Sequence, residues 1–506
     1  MILELLIVFI YTACLFTLLL FALTQVVLFH RFKSSRKVWM KNQLPPNQIT
    51  DELPLVTIQL PVFNEQNVIV ALLQHVAAID YPKERIEIQV LDDSTDETTA
   101  TIRALVEELT LKGIPIKHLH RSNRMGFKAG ALKAGLEQAK GEFIAIFDAD
   151  FLPQKDWLLR SMPYFNDPKI GVVQTRWGHI NRSESILTKV QAFALDLHFS
   201  LEQMGRQASG VFMNFNGTAG IWRKSCIEDA GNWSGTTLTE DLDLSYRAQL
   251  KGWRIVYRPE IITPAELPES VQAARSQQFR WNKGGAQNFR QLWRHLWRHE
   301  RLGIKEKIFG TAHLFSSSLF FLVLLLIVLS LPMLWIKNSH PDWAWIFYLF
   351  QAFGLTTVLL AWAYTGAYKM INTQRELSWL RALLDFVVFF TLAIGLSANN
   401  AIAVIQAYFG VKTPFVRTPK SNPRATKTTE DLETKLRLKP TNYYSSGGQL
   451  FPAILELTLM IYAIFGLILA TKMGPEGDYG LAPFHMLCVL GFGYLFIKSI
   501  FTRSKI

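Results

Sequence analysis

The sequence predicts an α/β domain inserted between α-helical transmembrane segments. Apolar runs long enough to cross a bilayer lie near both ends of the chain. Between Leu55 and about Pro268, strand-length apolar segments alternate with helix-length amphipathic ones, and several of those strands end in acidic residues. Strands separated by helices are typical of a parallel sheet covered on both faces.

Composition supports a membrane protein with a large soluble part. The chain has 506 residues, of which 49% are hydrophobic, and carries a formal net charge of +12. In a membrane protein, a basic excess usually marks cytoplasmic faces next to anionic lipid. No basic patch is interleaved with motif residues, so we expect no nucleic-acid partner. The three cysteines are scattered, which suggests neither a disulfide framework nor a zinc site.

The N-terminal segment, residues 1–30, is predicted to be a transmembrane helix, because residues 2–29 are nearly all apolar. Arg31, Lys33 and further basic residues follow it, and by the positive-inside rule they place the next segment in the cytoplasm. A proline-containing linker leads into a cytoplasmic domain predicted over residues 50–290.

Within that domain, polar residues collect where predicted strands end. Strands are predicted at 56–60, 86–91, 116–119 and 143–147, with helices at 67–78, 97–111 and 129–139 between them. The strand ends carry Asn64 and Glu65, Asp92 and Asp93, and Asp148 and Asp150. Ligands bind beyond the carboxyl ends of strands in open α/β sheets, so these residues predict a cleft. Asp148 and Asp150 offer oxygen ligands to a divalent cation, whereas an isolated Asp-x-Asp would more often be a solvated turn.

The C-terminal half is predicted to return to the membrane. Residues 291–308 read as an interfacial amphipathic helix, 309–410 as transmembrane and interfacial helices, 411–449 as a cytoplasmic basic loop and 450–506 as C-terminal transmembrane helices. Spans are expected at 309–335, 344–368, 451–470 and 481–497. The basic loop stays cytoplasmic only if 380–409 makes no net crossing, so this segment is predicted to be an interfacial or re-entrant helical pair hinged near Ser397 to Asn400.

Four motifs carry a family resemblance. They are Asp92-Asp93-Ser94, Asp148-Ala149-Asp150, Thr239-Glu240-Asp241 and Gln277-Gln278-Phe279-Arg280-Trp281. In this order they resemble the processive family 2 glycosyltransferases of the cellulose synthase superfamily. Residues 126–132, 215–220 and 415–420 look most like the cellulose-synthase-like A group, whose plant members make mannan and glucomannan backbones. The resemblance implies a GT-A-type nucleotide-sugar-binding domain.

The resemblance also implies roles on the donor side. Asp148 and Asp150 would hold Mg²⁺ or Mn²⁺ against the donor diphosphate. Asp92 and Asp93 would contact base and ribose, with Asn64 and Glu65 nearby. Three further positions would contact the donor, namely Lys128 at a phosphate and Thr418 and Lys420 in a gating loop at 415–420.

On the acceptor side, the resemblance makes Asp241 the candidate general base, with Glu240 beside it in the catalytic motif. The alternative for Asp241 is a helix N-cap, because a helical pattern follows it. The Gln277-to-Trp281 motif serves both substrates. Arg280 suits a bidentate grip on the diphosphate of the donor, Trp281 offers a face for a sugar ring, and Gln277 can hydrogen-bond either substrate.

The expected function is therefore that of a membrane-integrated inverting glycosyltransferase. It would add β-linked hexose from UDP-glucose or GDP-mannose to a growing glucan-like or mannan-like polysaccharide and translocate the product. Its other partner would be the lipid bilayer of an inner, plasma or Golgi-type membrane, with the catalytic domain and C-terminus cytoplasmic. Transfer of one sugar to a lipid acceptor is the alternative. An inactive scaffold or transporter would be expected to lack a catalytic carboxylate, and none is missing.

Overall fold

The computed structural model describes residues 1–41, 53–343, 345–347, 353–372, 377–413, 450–473 and 478–503. The chain enters through a long apolar helix, α1 (Ile2–Lys41). The predicted proline-containing linker after it lies largely outside the described residues.

A seven-stranded mixed sheet forms the centre of the soluble domain, in the order β3-β2-β1-β4-β6-β5-β7. Its strands are β1 (Val56–Val62), β2 (Ile86–Asp92), β3 (Ile116–His120), β4 (Phe143–Ile146), β5 (Ile170–His179), β6 (Gly220–Arg223) and β7 (Arg254–Ala265). The four predicted strands are confirmed and run parallel to one another. The all-parallel expectation is wrong for the rest, because the short β6 enters antiparallel between β4 and β5.

Helices cover both faces of this sheet, as the alternating pattern predicted. They are α2 (Ile69–Ala77), α3 (Thr98–Leu111), α4 (Phe127–Gln138), α5 (Trp157–Ser161), α6 (Ile186–Leu197), α7 (Gln203–Ser209), α8 (Lys224–Asp229), α9 (Glu240–Leu250) and α10 (Val271–Arg298). A π-helical turn, His198–Glu202, joins α6 to α7.

The sheet shares one of its cores with the apolar helices. Ile144 and Ile146 of β4 belong to a buried cluster that also contains Leu28 and Phe32 of α1. Burial of this apolar surface stabilises the contact between the α/β domain and α1. The cleft at the end of β4 is therefore held at a set position relative to α1.

Beyond the domain, the chain forms further long helices. They are α11 (Ile304–Phe315), α12 (Leu319–Ser339), α13 (Gly354–Ile371), α14 (Trp379–Tyr408), α15 (Leu450–Lys472) and α16 (Ala482–Arg503). In the described part of the chain, five helices are long and apolar enough to cross a bilayer: Ile2–Arg36, Ile304–Ser339, Trp379–Tyr408, Phe451–Lys472 and Ala482–Ile500. These helices make the chain a multi-pass membrane protein. The predicted span at 344–368 corresponds partly to α13 and partly to residues outside the described ranges.

The predicted hinge near Ser397 to Asn400 is wrong, because α14 is one continuous helix of 30 residues. Its polar side chains find partners without breaking it. Ser397 Oγ donates to the Ile394 carbonyl at 2.6 Å. Asn399 Nδ2 donates to the Arg275 carbonyl on α10 at 3.3 Å. A polar residue that is satisfied by its own helix or a neighbour costs little when buried.

Both halves of α14 contact the α/β domain. In its first half, Phe389 packs against Phe193 of α6 with ring centroids 5.3 Å apart. Near its end, Gln406 Oε1 accepts a hydrogen bond from Lys283 Nζ of α10 at 3.0 Å. A helix that touches the domain through both halves is compatible with an interfacial course, and its lack of a net crossing stays a prediction.

The separate interfacial helix expected at 291–308 is also wrong. Residues 291–298 are the final turns of α10, which begins 20 residues earlier and carries the Gln277-Arg280-Trp281 motif. Residues 291–298 still form an amphipathic segment, as predicted, with one buried and one exposed face. Leu292 and Leu296 are buried, whereas Trp293 and Trp297 are 36% and 41% exposed. The exposed tryptophans keep the predicted interfacial role as a hypothesis.

Candidate active site

A cleft of about 230 Å³ opens at the carboxyl ends of β1, β2 and β4. It brings together ten of the predicted site residues: Glu65, Asp93, Lys128, Asp148, Asp150, Glu240, Asp241, Gln277, Arg280 and Trp281. Asn64 and Asp92 do not line it. Thr418 and Lys420 lie outside the described residues.

The centre of the cleft is the Asp148-Ala149-Asp150 turn after β4. Its backbone is fixed by the Asp148 N–H, which donates to Thr218 Oγ1 at 2.8 Å. Asp148 Oδ1 accepts a hydrogen bond from Lys128 Nζ at 2.5 Å, and Asp150 lines the cleft beside it. Two carboxylates that reach one cleft from a rigid strand end match the oxygen ligands preferred by Mg²⁺ and Mn²⁺.

Lys128 sits among the acidic side chains of the cleft. Its Nζ also donates to the Gly217 carbonyl at 2.9 Å. Burial alone would lower the pKa of Lys128, but the carboxylates of Asp148, Glu240 and Asp241 raise it above the ordinary value. Lys128 is therefore a permanent positive charge at the point where a diphosphate would meet the Asp148 turn.

The Thr239-Glu240-Asp241 motif forms the start of α9. Thr239 occupies the N-cap position, so the capping alternative for Asp241 is wrong. Asp241 instead lies in the first turn, where its Oδ1 accepts the N–H of Leu242 at 2.8 Å. Burial and the neighbouring Glu240 carboxylate raise the pKa of Asp241 to about 7. A carboxylate with this pKa is suited to accept a proton near neutral pH.

Close packing against a glycine loop holds Asp241 in place. Gly217 has a φ of +80°, a left-handed conformation that favours glycine. A β-carbon at Gly217 would lie 3.0 Å from Asp241 Oδ2 and 3.5 Å from Lys128 Nζ. A side chain at this position would therefore enter the space between the candidate base and the lysine.

Helix α10 packs against Thr239 and so positions the Thr239-Glu240-Asp241 motif. The sequence did not predict this contact. Asn288 Nδ2 donates to Thr239 Oγ1 at 2.8 Å and to the Thr239 carbonyl at 3.1 Å. Gly284, one turn earlier, packs so closely that a β-carbon there would lie 2.5 Å from Thr239 Oγ1. The same helix carries Gln277, Arg280 and Trp281 into the cleft, so one element links both motifs.

At the β1–β2 end of the cleft, the two adjacent aspartates play different parts. Asp93 lines the cleft and accepts two hydrogen bonds from Arg121, at 2.7 Å from Nε and 2.6 Å from Nη2. Asp92 points away and is fully buried. Its Oδ2 accepts hydrogen bonds from His118 Nε2 at 2.9 Å and His120 Nδ1 at 3.2 Å. Burial opposes ionisation of Asp92, but the hydrogen bonds from His118 and Ser94 hold its pKa well below the ordinary range.

Asp92 and Asn64 support the walls of the cleft in this structure, and their direct contact with the donor stays a prediction. Asn64 has a φ of +55° and accepts the Thr95 N–H at its Oδ1, at 2.8 Å. Ser94 Oγ in turn accepts the Asn64 N–H at 2.9 Å. These bonds lock the two loops that present Glu65 and Asp93.

The ligand atoms of Asp92, His118 and His120 also lie within 4.8 Å of one another, close enough to hold a metal ion.

Arg124 is a cleft residue that the sequence reasoning missed. Its guanidinium carbon lies 3.2 Å from the centroid of the Phe63 ring, and both residues line the cleft beside Asp93. A planar cation stacked on an aromatic ring offers a flat surface suited to a nucleobase. The signal was present in the basic Arg121–Arg124 stretch after β3.

Comparisons with known proteins agree with this geometry. Residues 54–284 match the family model described as "Glycosyltransferase like family 2". The chain is 44% identical over 255 residues to a probable glucomannan 4-beta-mannosyltransferase 2 from Oryza sativa subsp. japonica. The matched region covers 49% of this chain and 43% of that protein. It is also 44% identical over 247 residues to glucomannan 4-beta-mannosyltransferase 9 from Arabidopsis thaliana, covering 47% and 46%. The chain spans about half the length of these curated relatives.

A solved structure shares the fold. The mannosyltransferase PcManGT from Pyrobaculum calidifontis, in complex with GDP-Man and Mn²⁺, superposes with a TM-score of 0.50 at 19% sequence identity. The superposition covers 78% of this chain and all of that one. The GT-A-type fold predicted from the resemblance is thereby confirmed.

Proposed function

Since residues 54–284 of this chain form a domain of the glycosyltransferase 2 family, we propose that the protein is a membrane-integrated inverting hexosyltransferase. It transfers a sugar from a nucleotide donor to a growing β-linked polysaccharide. The observation that carries the proposal is the convergence, in one cleft, of the Asp148–Asp150 pair, the cations Lys128, Arg280 and Arg124, and the partly buried Asp241 carboxylate with its raised pKa.

The cleft supplies what such a transfer requires. A divalent cation held by Asp148 and Asp150 would neutralise charge on the diphosphate leaving group. Lys128 and Arg280 bind that diphosphate and hold the anomeric carbon in place. Asp241 accepts the proton of the acceptor hydroxyl. At the same time, the oxygen of that hydroxyl forms the new bond to the anomeric carbon. The bond from that carbon to the diphosphate breaks on the opposite face, which inverts the configuration.

GDP-mannose is the donor we favour over UDP-glucose. The support is indirect: the plant relatives named above are glucomannan 4-beta-mannosyltransferases. We further propose that the product passes through the membrane helices. Polar contacts between α10 and α14, made by the partly buried Asn399 and the buried Lys283, motivate this part of the proposal.

A donor panel with product analysis tests the activity. Purified protein is incubated with GDP-mannose, UDP-glucose and other nucleotide sugars, and nucleotide release and products are measured. We expect GDP-mannose to be turned over and to yield a long β-linked glycan. A single sugar on an extractable lipid would contradict processive synthesis, and no turnover of any donor would contradict the enzymatic proposal.

The metal role has its own test in Asp148→Asn and Asp150→Asn. Each change removes a charged ligand with little change of shape, so turnover should fall by at least ~10²-fold across a titration of magnesium and manganese. Asp156→Asn is the matched control, because Asp156 is 54% exposed and lies outside the cleft. Activity in either cleft variant equal to that of the control would remove the metal role.

A further inference from the structure

The strand order gives the cleft two distinct ends. Glu65 and Asp93 follow β1 and β2 on one side of the sheet, and the Asp148 turn follows β4 in the middle. On the far side, Trp177 and His179 end β5, and residues 265–267 end or follow its neighbour β7. The far end lies away from Arg124 and Phe63, the stacked pair on the first side.

Two nitrogen atoms at this far end lack hydrogen-bond partners among the described residues. They are Nε1 of Trp177 and Nε2 of His179, both buried, and the His179 nitrogen lies 4.0 Å from Asp196 Oδ1, beyond hydrogen-bond distance. The two residues lie on the same face of β5, because side chains two positions apart in a strand point the same way. A buried polar nitrogen without a partner costs roughly 1–3 kcal/mol, unless a ligand supplies the missing hydrogen bond.

The indole nitrogens of Trp222 and Trp233 also lack a hydrogen-bond partner among the described residues. A nitrogen without a partner therefore does not by itself indicate a ligand site. Neither of those tryptophans lines the cleft, and both are buried in the core. Trp177 differs because it lines the cleft, where its ring packs edge-on against Phe151 at a centroid distance of 5.1 Å. Phe151 directly follows the metal-binding turn.

The far end is suited to an uncharged ligand. Burial, together with Arg182 and Arg176, lowers the pKa of His179 to about 3, so its imidazole is neutral at physiological pH. Both arginines are already paired with Asp196. A neutral imidazole and an indole N–H offer donors and one acceptor without net charge, which matches hydroxyl groups. Lys128, by contrast, is paired with Asp148 at the turn after β4.

We propose that Trp177 and His179 form the subsite for the terminal sugar of the acceptor glycan, hydrogen-bonding its hydroxyl groups. The proposal rests on the proposed function, because an inverting transfer requires the acceptor to approach from the side opposite the diphosphate. Aromatic side chains of the same cleft, Phe151 and Trp281, supply apolar faces against which the pyranose ring can pack. The ligand is thus a neutral β-linked hexose chain rather than the nucleotide.

The test uses Trp177→Phe and His179→Gln in the full-length protein. Trp177→Phe removes the N–H and keeps an aromatic ring, while His179→Gln keeps a polar neutral side chain with altered reach. We expect the KM for a soluble β-1,4-mannooligosaccharide acceptor to rise about 3- to 10-fold in Trp177→Phe, the loss typical of one neutral hydrogen bond. Affinity for GDP should stay within twofold, which also reports that the variants are folded. Trp233→Phe is the matched control and should change neither value.

The outcomes separate this proposal from the function it rests on. Unchanged acceptor KM in both cleft variants, or a loss of GDP affinity instead, would overturn the subsite. If wild-type protein turns over no donor, the proposed function fails, and calorimetry with the oligosaccharide alone then decides the subsite. Oligosaccharide binding that weakens in Trp177→Phe but not in Trp233→Phe supports it, and equal or absent binding overturns it.

Discussion

Asp241 is the residue on which the proposed chemistry depends most directly. It lies in the first turn of α9 but not at the N-cap position, and its role as the general base is a proposal that the following variant tests. In Asp241→Asn the side chain keeps its shape but cannot accept a proton. We expect turnover to fall on the order of 10²–10⁴-fold, with donor binding retained through Lys128 and Arg280.

Nucleotide affinity and turnover of Asp241→Asn should be measured side by side. A loss of both would indicate a disturbed cleft rather than a missing base. Near-normal turnover would leave Asp241 a structural residue and the base unassigned.

The raised pKa of Asp241 predicts a pH profile. A carboxyl group with a pKa of about 7 is mostly protonated below that pH and cannot accept the acceptor proton. We therefore expect kcat/KM to be half-maximal near pH 7, to reach a plateau about one pH unit above it, and to fall about tenfold per pH unit well below it. The measurement is a profile from pH 5.5 to 8.5 at constant free metal. A flat acid limb would contradict the assignment.

Asp92 should contribute to stability rather than to donor contact. Its carboxylate is fully buried and accepts hydrogen bonds from His118, His120 and the Ser94 N–H. Asp92→Asn replaces one acceptor oxygen by a donor, so we expect a loss of roughly 1–3 kcal/mol in the free energy of unfolding. Thermal unfolding in detergent measures it, with Asp156→Asn as control. A loss of donor affinity without loss of stability would restore the contact role.

At the scale of elements, α14 and α16 meet through glycine. A β-carbon at Gly395 of α14 would lie 2.6 Å from the Gly491 carbonyl oxygen of α16, and one at Gly491 would lie 2.4 Å from the Thr391 carbonyl oxygen. Small residues let helix backbones approach this closely in membranes. The contact also packs the helix that touches α10 against the C-terminal helix.

Gly395→Ala should therefore destabilise the membrane part. The added methyl group meets backbone atoms that cannot rotate away, and overpacking of this kind costs roughly 1–3 kcal/mol. Gly493→Ala on α16 is the matched control, since a β-carbon there meets only the flexible Met460 side chain, at 3.2 Å. Thermal unfolding should shift for Gly395→Ala and much less for Gly493→Ala. Equal shifts would contradict the close contact.

At the scale of the whole molecule, the two ends of α1 indicate its orientation relative to the domain. Near the N-terminus, Glu4 Oε1 accepts a hydrogen bond from His340 Nε2, just after α12, at 3.2 Å. At the other end, Leu28 and Phe32 pack into the core of the α/β domain. The turn after α12 therefore lies at the end of the membrane helices away from that domain.

A labelling experiment tests the proposed topology. A cysteine at Lys427, in the basic segment outside the described residues, should react only from the cytoplasmic side. A cysteine at the exposed Asp342, after α12, should react from the opposite side and serves as control. The three native cysteines are buried, so background labelling should be low. Labelling of position 427 from outside intact cells would contradict the predicted orientation.

Much of this protein follows from its sequence alone. The first four strands, the helices between them and the acidic strand ends were predictable because each is a local pattern: an apolar run, a helical period and a polar stop. The site motifs were predictable for the same reason. Four of the ten cleft residues, Glu65, Asp93, Asp148 and Asp150, meet because parallel strands end at the same edge of a sheet, whereas α4, α9 and α10 bring the other six.

Tertiary structure decided what local patterns leave open. Adjacent strand residues point to opposite faces, so only the fold could assign Asp93 to the cleft and Asp92 to the core. The antiparallel entry of β6, which separates β4 from β5, depends on long-range pairing. Two polar residues that looked like a hinge in α14 have partners that leave the helix unbroken: Ser397 bonds the backbone of its own helix, and Asn399 bonds α10, a partner more than a hundred residues away. Trp177 and His179 could be assigned to the far end of the cleft only from the strand order, because the burial of their ring nitrogens depends on how the chain packs.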